Sequence, residues 1–286
     1  MIHRKETVPA GDPWYNKVEE CQGEKPATYT HAVYGRQVLD QLEPALRERI
    51  NPHLACYNIG LHGPDLLFFY KPLSQAPIKK RGYAMHHEPG RPFFENARTL
   101  IRQSPDPEAA LAYILGFINH FVLDSLNHPA IFAFQEESGL SHSEIESEWD
   151  RALMVAQGKD PIRTRSTEHL TISPVCCQVI APFFDVRPRD IEQSLKTMTG
   201  LLDLFVAPGA AKRSLILGVM GLVGVRKSEG GLIINREPNP RCTDFIQQRM
   251  AGMDEAAELS VRLIHEYIAT LNTSEPLDPW YDEDYE

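Results

Sequence analysis

The stretch from Tyr113 to Asp150, YILGFINHFVLDSLNHPAIFAFQEESGLSHSEIESEWD, constrains this chain more than any other. His120, Asp124 and His128 follow one another at four-residue steps, and so do His142, Glu146 and Asp150. On a helix that spacing stacks side chains along one face. A fold built on this stretch therefore has to aim the polar faces of two consecutive helices into one pocket. Imidazoles and carboxylates so arranged are the ligand types of zinc. A single histidine beside an acid is usually an ordinary surface or core residue. Two ladders in succession are costly to bury without a metal, because buried polar groups need partners.

The rest of the chain also reads as helices. Ala32, Val38, Leu39, Leu42 and Leu46 form an apolar stripe after a cap at Thr28 or Thr30, with Pro44 as a kink or break. His31 sits in the first turn of that helix. Gly60, Gly63 and Pro64 mark a turn, so Asp65 either caps a short helix or points into a site. His86 and His87 are expected on a loop ahead of a helix over about 92–103. The long helix carrying His120 and Asp124 opens at Pro107 or Glu108, and Pro129 is expected to re-aim the chain after His128. Core helices are expected over 173–181, 189–205 and about 240–271, and a helix plus a flexible loop over 209–231. No strand series and no repeat is visible. The expected class is all-α, a multi-helix domain over 28–273 with its metal site within 28–157, an irregular arm at 1–27, and a loosely held acidic tail at 274–286.

Composition narrows the function classes. The net charge of −10, with no long basic run, argues against a long nucleic acid as partner. Five cysteines, two of them adjacent and none in a CxxC pair, suggest reduced thiols and a cytoplasmic setting. The N-terminal residues contain no apolar signal stretch. The apolar run 215–225, at about 11 residues, is shorter than a bilayer span requires. Flanked by Lys212, Arg213, Arg226 and Lys227, it has two readings: a peripheral membrane contact, or a buried helix, which is the expectation. Leu66–Tyr70, Phe93 and Phe94 likewise line the mouth of a site or form ordinary core, and core is expected. The oligomeric state is not legible.

The same residues carry a resemblance. Thr30-His31, Gly63-Pro64-Asp65, Met85-His86, the spacing from Gly116 through His120 to Asp124, His128-Pro129 and the pair His142 and Glu146 occur in this order in the zinc-dependent phospholipase C family, which is related to a family of zinc single-strand nucleases. The resemblance covers roughly 28–157. It implies an all-helical fold and two or three zinc ions. Asp65, His86 and His120 would hold one, His31 and Asp124 a second with Asp124 bridging, and His128, His142 and Glu146 a third. The Met-His context selects His86 over His87. The implied activity is hydrolysis of a phospholipid or small-molecule phosphodiester, with Asp65 as catalytic proton acceptor. Glu144, Glu148 and Asp150 are expected to be solvated or to stand behind the ligands. One alternative is a nuclease or nucleotidase on the same cluster. Another is a zinc-binding domain without turnover, because the secreted members complete one zinc site with an N-terminal Trp amine and this chain begins Met1-Ile2-His3.

Overall fold

The structure is a computed structural model and describes residues 27–285. The arm expected at 1–27 lies, apart from Ala27, outside the described residues. All regular structure among the described residues is helical, as the sequence predicts.

Helix α1 (Thr28–Gln41) and α2 (Pro44–Ile50) are separate, with Pro44 opening the second. Helix α3 (Leu54–Gly60) leads into a 3-10 turn, Gly63–Phe69. Then come α4 (Pro77–His86), α5 (Gly90–Gln103), the 32-residue α6 (Pro107–Ser138) and α7 (His142–Ala156). The second half supplies α8 (Pro174–Ile180), α9 (Pro188–Phe205), α10 (Ala210–Leu222), the short α11 (Arg226–Glu229), α12 (Thr243–Ala251) and α13 (Met253–Thr270). The single helix expected over 240–271 is thus two, meeting at Gly252.

Helix α6 is the spine. The Asp106 side chain accepts the Ala109 N–H at 3.1 Å, Pro107 occupies the first turn, and Gly139 ends the helix at φ 68°. Every residue from Ala109 to Asp124 is buried. A helix apolar on all sides belongs in a core or a membrane. This one is long and apolar enough to cross a bilayer, but 89% of its qualifying window is buried inside the protein, so it is a core helix here. Pro129 does not re-aim the chain. It lies within α6, on an exposed position, and His128 continues the face of His120 and Asp124. Buried residues on either side, Asp124 and Ile131 among them, hold the helix through the one missing N–H bond.

Helix α3 crosses α6 with backbones nearly touching. A Cβ on Gly60 would overlap the carbonyl oxygen of Tyr113, and one on Gly116 that of Tyr57. The crossing delivers the 3-10 turn onto α6 beside His120. Gly63 opens it at φ 43°, where a Cβ would collide with the His120 ring. The apolar residues after Asp65 are buried core, and Phe94 is too.

Four further expectations need correction. His86 is the last residue of α4, not part of a loop. The region 209–231 is more helical than one helix and a loop: residues 223–225 link α10 to α11, which runs directly into a 3-10 turn, Gly230–Leu232. Helix α10 is not buried. Ile216 and Met220 face inward, while Leu215, Val219, Leu222 and Val223 are exposed. The acidic tail is firmly packed. Leu277, Tyr281 and Tyr285 are buried, Arg91 grips the carbonyls of Leu277 and Asp278 at 3.0 and 3.1 Å, and the Gly90 N–H donates to the Glu283 carbonyl at 2.9 Å. Acidity suggested looseness, but the aromatic rings between the acids decide where the segment goes.

Candidate metal centre

Five elements bring eight polar side chains to one place: His31 from α1, Asp65 from the 3-10 turn, His86 from α4, His120, Asp124 and His128 from α6, and His142 and Glu146 from α7. Each is at most 6% exposed. Asp124 lies at the centre. Its Oδ1 is 3.2 Å from His31 Nε2, and its Oδ2 is 3.1 Å from His120 Nε2 and 4.0 Å from His128 Nε2. Asp65 is 2.9 Å from His86 Nε2 and 4.0 Å from His120 Nδ1. Glu146 Oε1 is 3.3 Å from His142 Nε2 and 3.7 Å from His128 Nε2. Donor atoms of His31, Asp65, His120 and Asp124 all lie within 4.8 Å of one another, as do those of His128, His142 and Glu146. His86 joins the first group through Asp65. His87, the next residue, is half-buried at the C-terminal cap of α4.

Contacts behind these residues aim them. The Nδ1 atoms of His86 and His128 pair with the carbonyls of Gly82 and Tyr285 at 2.8 and 2.7 Å. A carbonyl only accepts, so each Nδ1 carries a proton and each Nε2 is the nitrogen that faces the cluster. No local side chain caps α1. Asp150 of α7 does so instead, taking the Tyr29 and Thr30 N–H groups at 3.1 and 2.8 Å and the Thr30 hydroxyl at 2.7 Å. Asp150 therefore ties the His142 and Glu146 helix to the first turn that carries His31. Glu148 is also buried rather than solvated, accepting from Arg151 Nε at 2.8 Å and the Asn239 N–H at 3.0 Å. Glu144 accepts from Asn239 Nδ2 at 2.8 Å.

The electrostatics suit cation ligands. Burial alone would raise the Asp124 carboxyl, but His120, His128 and His31 hold it far below the usual range. Burial likewise opposes ionisation of Glu146, and His142 and His128 bring it down to about 2. Burial lowers His120 to about 4, so it is neutral near pH 7. For His86 the burial effect is outweighed by the hydrogen bond and charge of Asp65, which raise it to about 9. His31 is raised in the same way by Asp124 against the opposing effect of burial.

Orphaned atoms test whether this set fits an ion. Both ring nitrogens of His120 and Oε2 of Glu146 are buried with no hydrogen-bond partner. Each such group costs about 1–3 kcal/mol when left unpaired. Nitrogen and oxygen donors this close, several of them without a hydrogen-bond partner, fit zinc.

Three residues at the site escaped sequence reasoning. Tyr285 places its ring 5.3 Å from that of His86 and 5.9 Å from that of His120. His62 and His169 touch Nε2 to Nε2 at 2.7 Å, with the His62 ring 6.2 Å from His31. Burial, reinforced by His169, holds His62 well below its usual range, and burial lowers His169 to about 4. The pair is therefore neutral. The position of His62 just ahead of the Gly63-Pro64-Asp65 turn was a usable signal, whereas His169 and Tyr285 had none.

A family model described as zinc dependent phospholipase C matches residues 30–185. No curated protein and no solved structure matches the chain. The matched span is more than half of the 286 residues and contains all eight side chains of the cluster, so the chain belongs to the zinc-dependent phospholipase C family.

Proposed function

We propose that this protein is a zinc-dependent phosphodiester hydrolase of the phospholipase C type, acting on a phospholipid. The observation that carries the reading is the buried convergence of the eight ligand-type side chains around Asp124, with neither ring nitrogen of His120 making a hydrogen bond. Two or three zinc ions fit the donor sets: Asp65, His86 and His120 for one, His31 and Asp124 for a second with Asp124 shared, and His128, His142 and Glu146 for a third. When bound, zinc supplies a Lewis acid for the phosphoryl oxygens and lowers the pKa of water toward neutrality.

The chain's own residues do the rest. Asp65 stands between His86 and His120, where its carboxylate accepts the proton of the attacking water as the P–O bond to the alcohol breaks. Asp124 keeps His31, His120 and His128 turned toward a common centre. The carbonyls of Gly82 and Tyr285 take the Nδ1 protons of His86 and His128, so Nε2 is the nitrogen each ring would offer to an ion. The test is hydrolysis by the pure, zinc-loaded protein of phosphatidylcholine, bis-p-nitrophenyl phosphate and single-stranded DNA. Turnover of the first two supports the reading. Turnover of DNA alone replaces it with the nuclease reading.

One observation favours a second reading, a zinc-binding domain without turnover. Tyr285 is 1% exposed and its ring packs beside His86 and His120. A substrate reaching Asp65 has to displace neighbouring groups. Bound zinc with no hydrolysis of any of the three substrates would establish this second reading.

A further inference from the structure

Resting on the phospholipase reading, we propose that α10 is a membrane-docking element whose outer ridge, Leu215, Val219, Leu222 and Val223, enters the surface of an anionic phospholipid bilayer. These residues are 68%, 51%, 88% and 55% exposed. Leu215, Val219 and Leu222 recur at intervals of four and three, so they share one face of the helix, and Val223 extends the ridge at its C-terminal cap. The inward face is already used: Ile216 and Met220 pack with Ala207 and Ile233. The ridge is therefore surplus to the fold. It holds four of the nine large exposed hydrophobics among the described residues, and Leu204 near the end of α9 is a fifth. Such a concentration marks an interaction surface, whereas isolated exposed aliphatics need no explanation.

Charge identifies the partner. Between Asp203 and Glu229 the chain has no acidic residue but contains Lys212, Arg213, Arg226 and Lys227, although the whole chain carries −10. Arg213 is occupied with the carbonyls of Ile233 and Ile234, both at 3.0 Å, and Lys212 Nζ donates to the Val206 carbonyl at 2.7 Å. Lys212, Arg226 and Lys227 are exposed at the two ends of the ridge. An aliphatic ridge bracketed by cations matches the apolar depth and anionic headgroups of a lipid interface. A protein interface would be expected to present Trp, Tyr or Phe anchors at its centre, and the ridge has none.

The ridge is also coupled to the metal centre. The Ser143 hydroxyl, next to His142, donates to the Ser228 carbonyl at 2.6 Å, and the Gly231 Cα sits so close to the Glu144 backbone that a Cβ would overlap it. Docking through α10 thus holds the start of α7, and with it His142, close to the lipid surface.

The experiment is sedimentation of the full zinc-loaded chain with vesicles of phosphatidylcholine, with and without phosphatidylserine. The variants are Leu215→Ser with Leu222→Ser, Arg226→Glu with Lys227→Glu, and Val175→Ser as an exposed control elsewhere. Melting temperature checks each fold, and hydrolysis of soluble bis-p-nitrophenyl phosphate is followed in the same samples. The parent should bind, and more tightly with phosphatidylserine. The ridge variant should bind about tenfold more weakly or worse to both vesicles, the loss expected from two aliphatic side chains. The charge variant should lose only the preference for phosphatidylserine, and the control should match the parent. Soluble turnover should be the same in all. A parent absent from the vesicle pellet, or a ridge variant that sediments like the parent, overturns the proposal. A parent that is dimeric and ignores vesicles, with a monomeric ridge variant, assigns the ridge to a second copy of the chain and also overturns it. A parent that sediments as described but hydrolyses no phosphodiester leaves the docking surface in place and removes the catalytic reading.

Discussion

The Tyr285 carbonyl accepts the Nδ1 proton of His128 at 2.7 Å, so a residue 157 positions away sets the tautomer of a cluster histidine. The Tyr285 ring is buried with that carbonyl, 4.9 Å from Phe121, but its hydroxyl has no partner. Ring and hydroxyl therefore have opposite effects. Tyr285→Ala should cost about 3–5 kcal/mol, the usual loss for a fully buried aromatic. Tyr285→Phe should be neutral or slightly stabilising, because it removes an unpaired buried polar group. Thermal melts of the metal-free proteins check both. A Phe variant as unstable as the Ala variant would show that the hydroxyl has a role the fold depends on.

What was legible in the chain was local periodicity. The ladders through His120, Asp124 and His128 and through His142 and Glu146 obey the helical repeat, so their convergence is legible in the sequence. Asp65 was flagged by the glycines and proline before it. Illegible features depended on partners distant in sequence. Pro129 breaks a local rule, and the buried residues around it override the break. Asp150 belongs by spacing to the ligand ladder, yet it caps a helix beginning at Thr28. The outer face of α10 reads as core in sequence because nothing local says which apolar face has a neighbour. Acidity in the tail hid the fact that its tyrosines fill the core.

Asp124 is the carboxylate nearest to histidines of both donor groups. Asp124→Asn should therefore lower zinc content more than His142→Ala, which affects one group alone. Elemental analysis of zinc per chain after gel filtration measures it. Equal zinc in the Asn variant and the parent would remove Asp124 from the ligand set.

The His86 imidazole, raised to about 9 by Asp65 despite burial, sets a pH dependence with a definite sign. Its ordinary value is 6.5. In the metal-free protein the stability it contributes is fully present below 6.5 and fades as the pH rises through about 9. Zinc needs the neutral ring, so affinity at that group should move the other way. It should climb by up to about tenfold per pH unit over that window. Competition titrations with a zinc chelator across the range should show this climb, flattened in His86→Gln. An affinity that falls as the pH rises would contradict the assignment.

Asp150 tests whether the fold holds α1 in place from outside. Burial raises its carboxyl to about 7, although the hydrogen bonds from Thr30 and Tyr29 pull the other way. The folded protein therefore binds a proton that the unfolded chain releases above 3.8, the ordinary value. That contribution to stability is complete below 3.8 and is lost as the pH rises through about 7. Asp150→Asn keeps an acceptor but cannot titrate. Its stability relative to the parent should thus improve as the pH rises between those values. Asp150→Ala leaves the Tyr29 and Thr30 donors unpaired, so it should stay about 2–3 kcal/mol less stable than Asp150→Asn at every pH. Urea denaturation of the three metal-free proteins across this range separates the effects. If the difference between Asn variant and parent does not change with pH, Asp150 is ionised throughout, and its hold on the His31 helix is that of a charged cap.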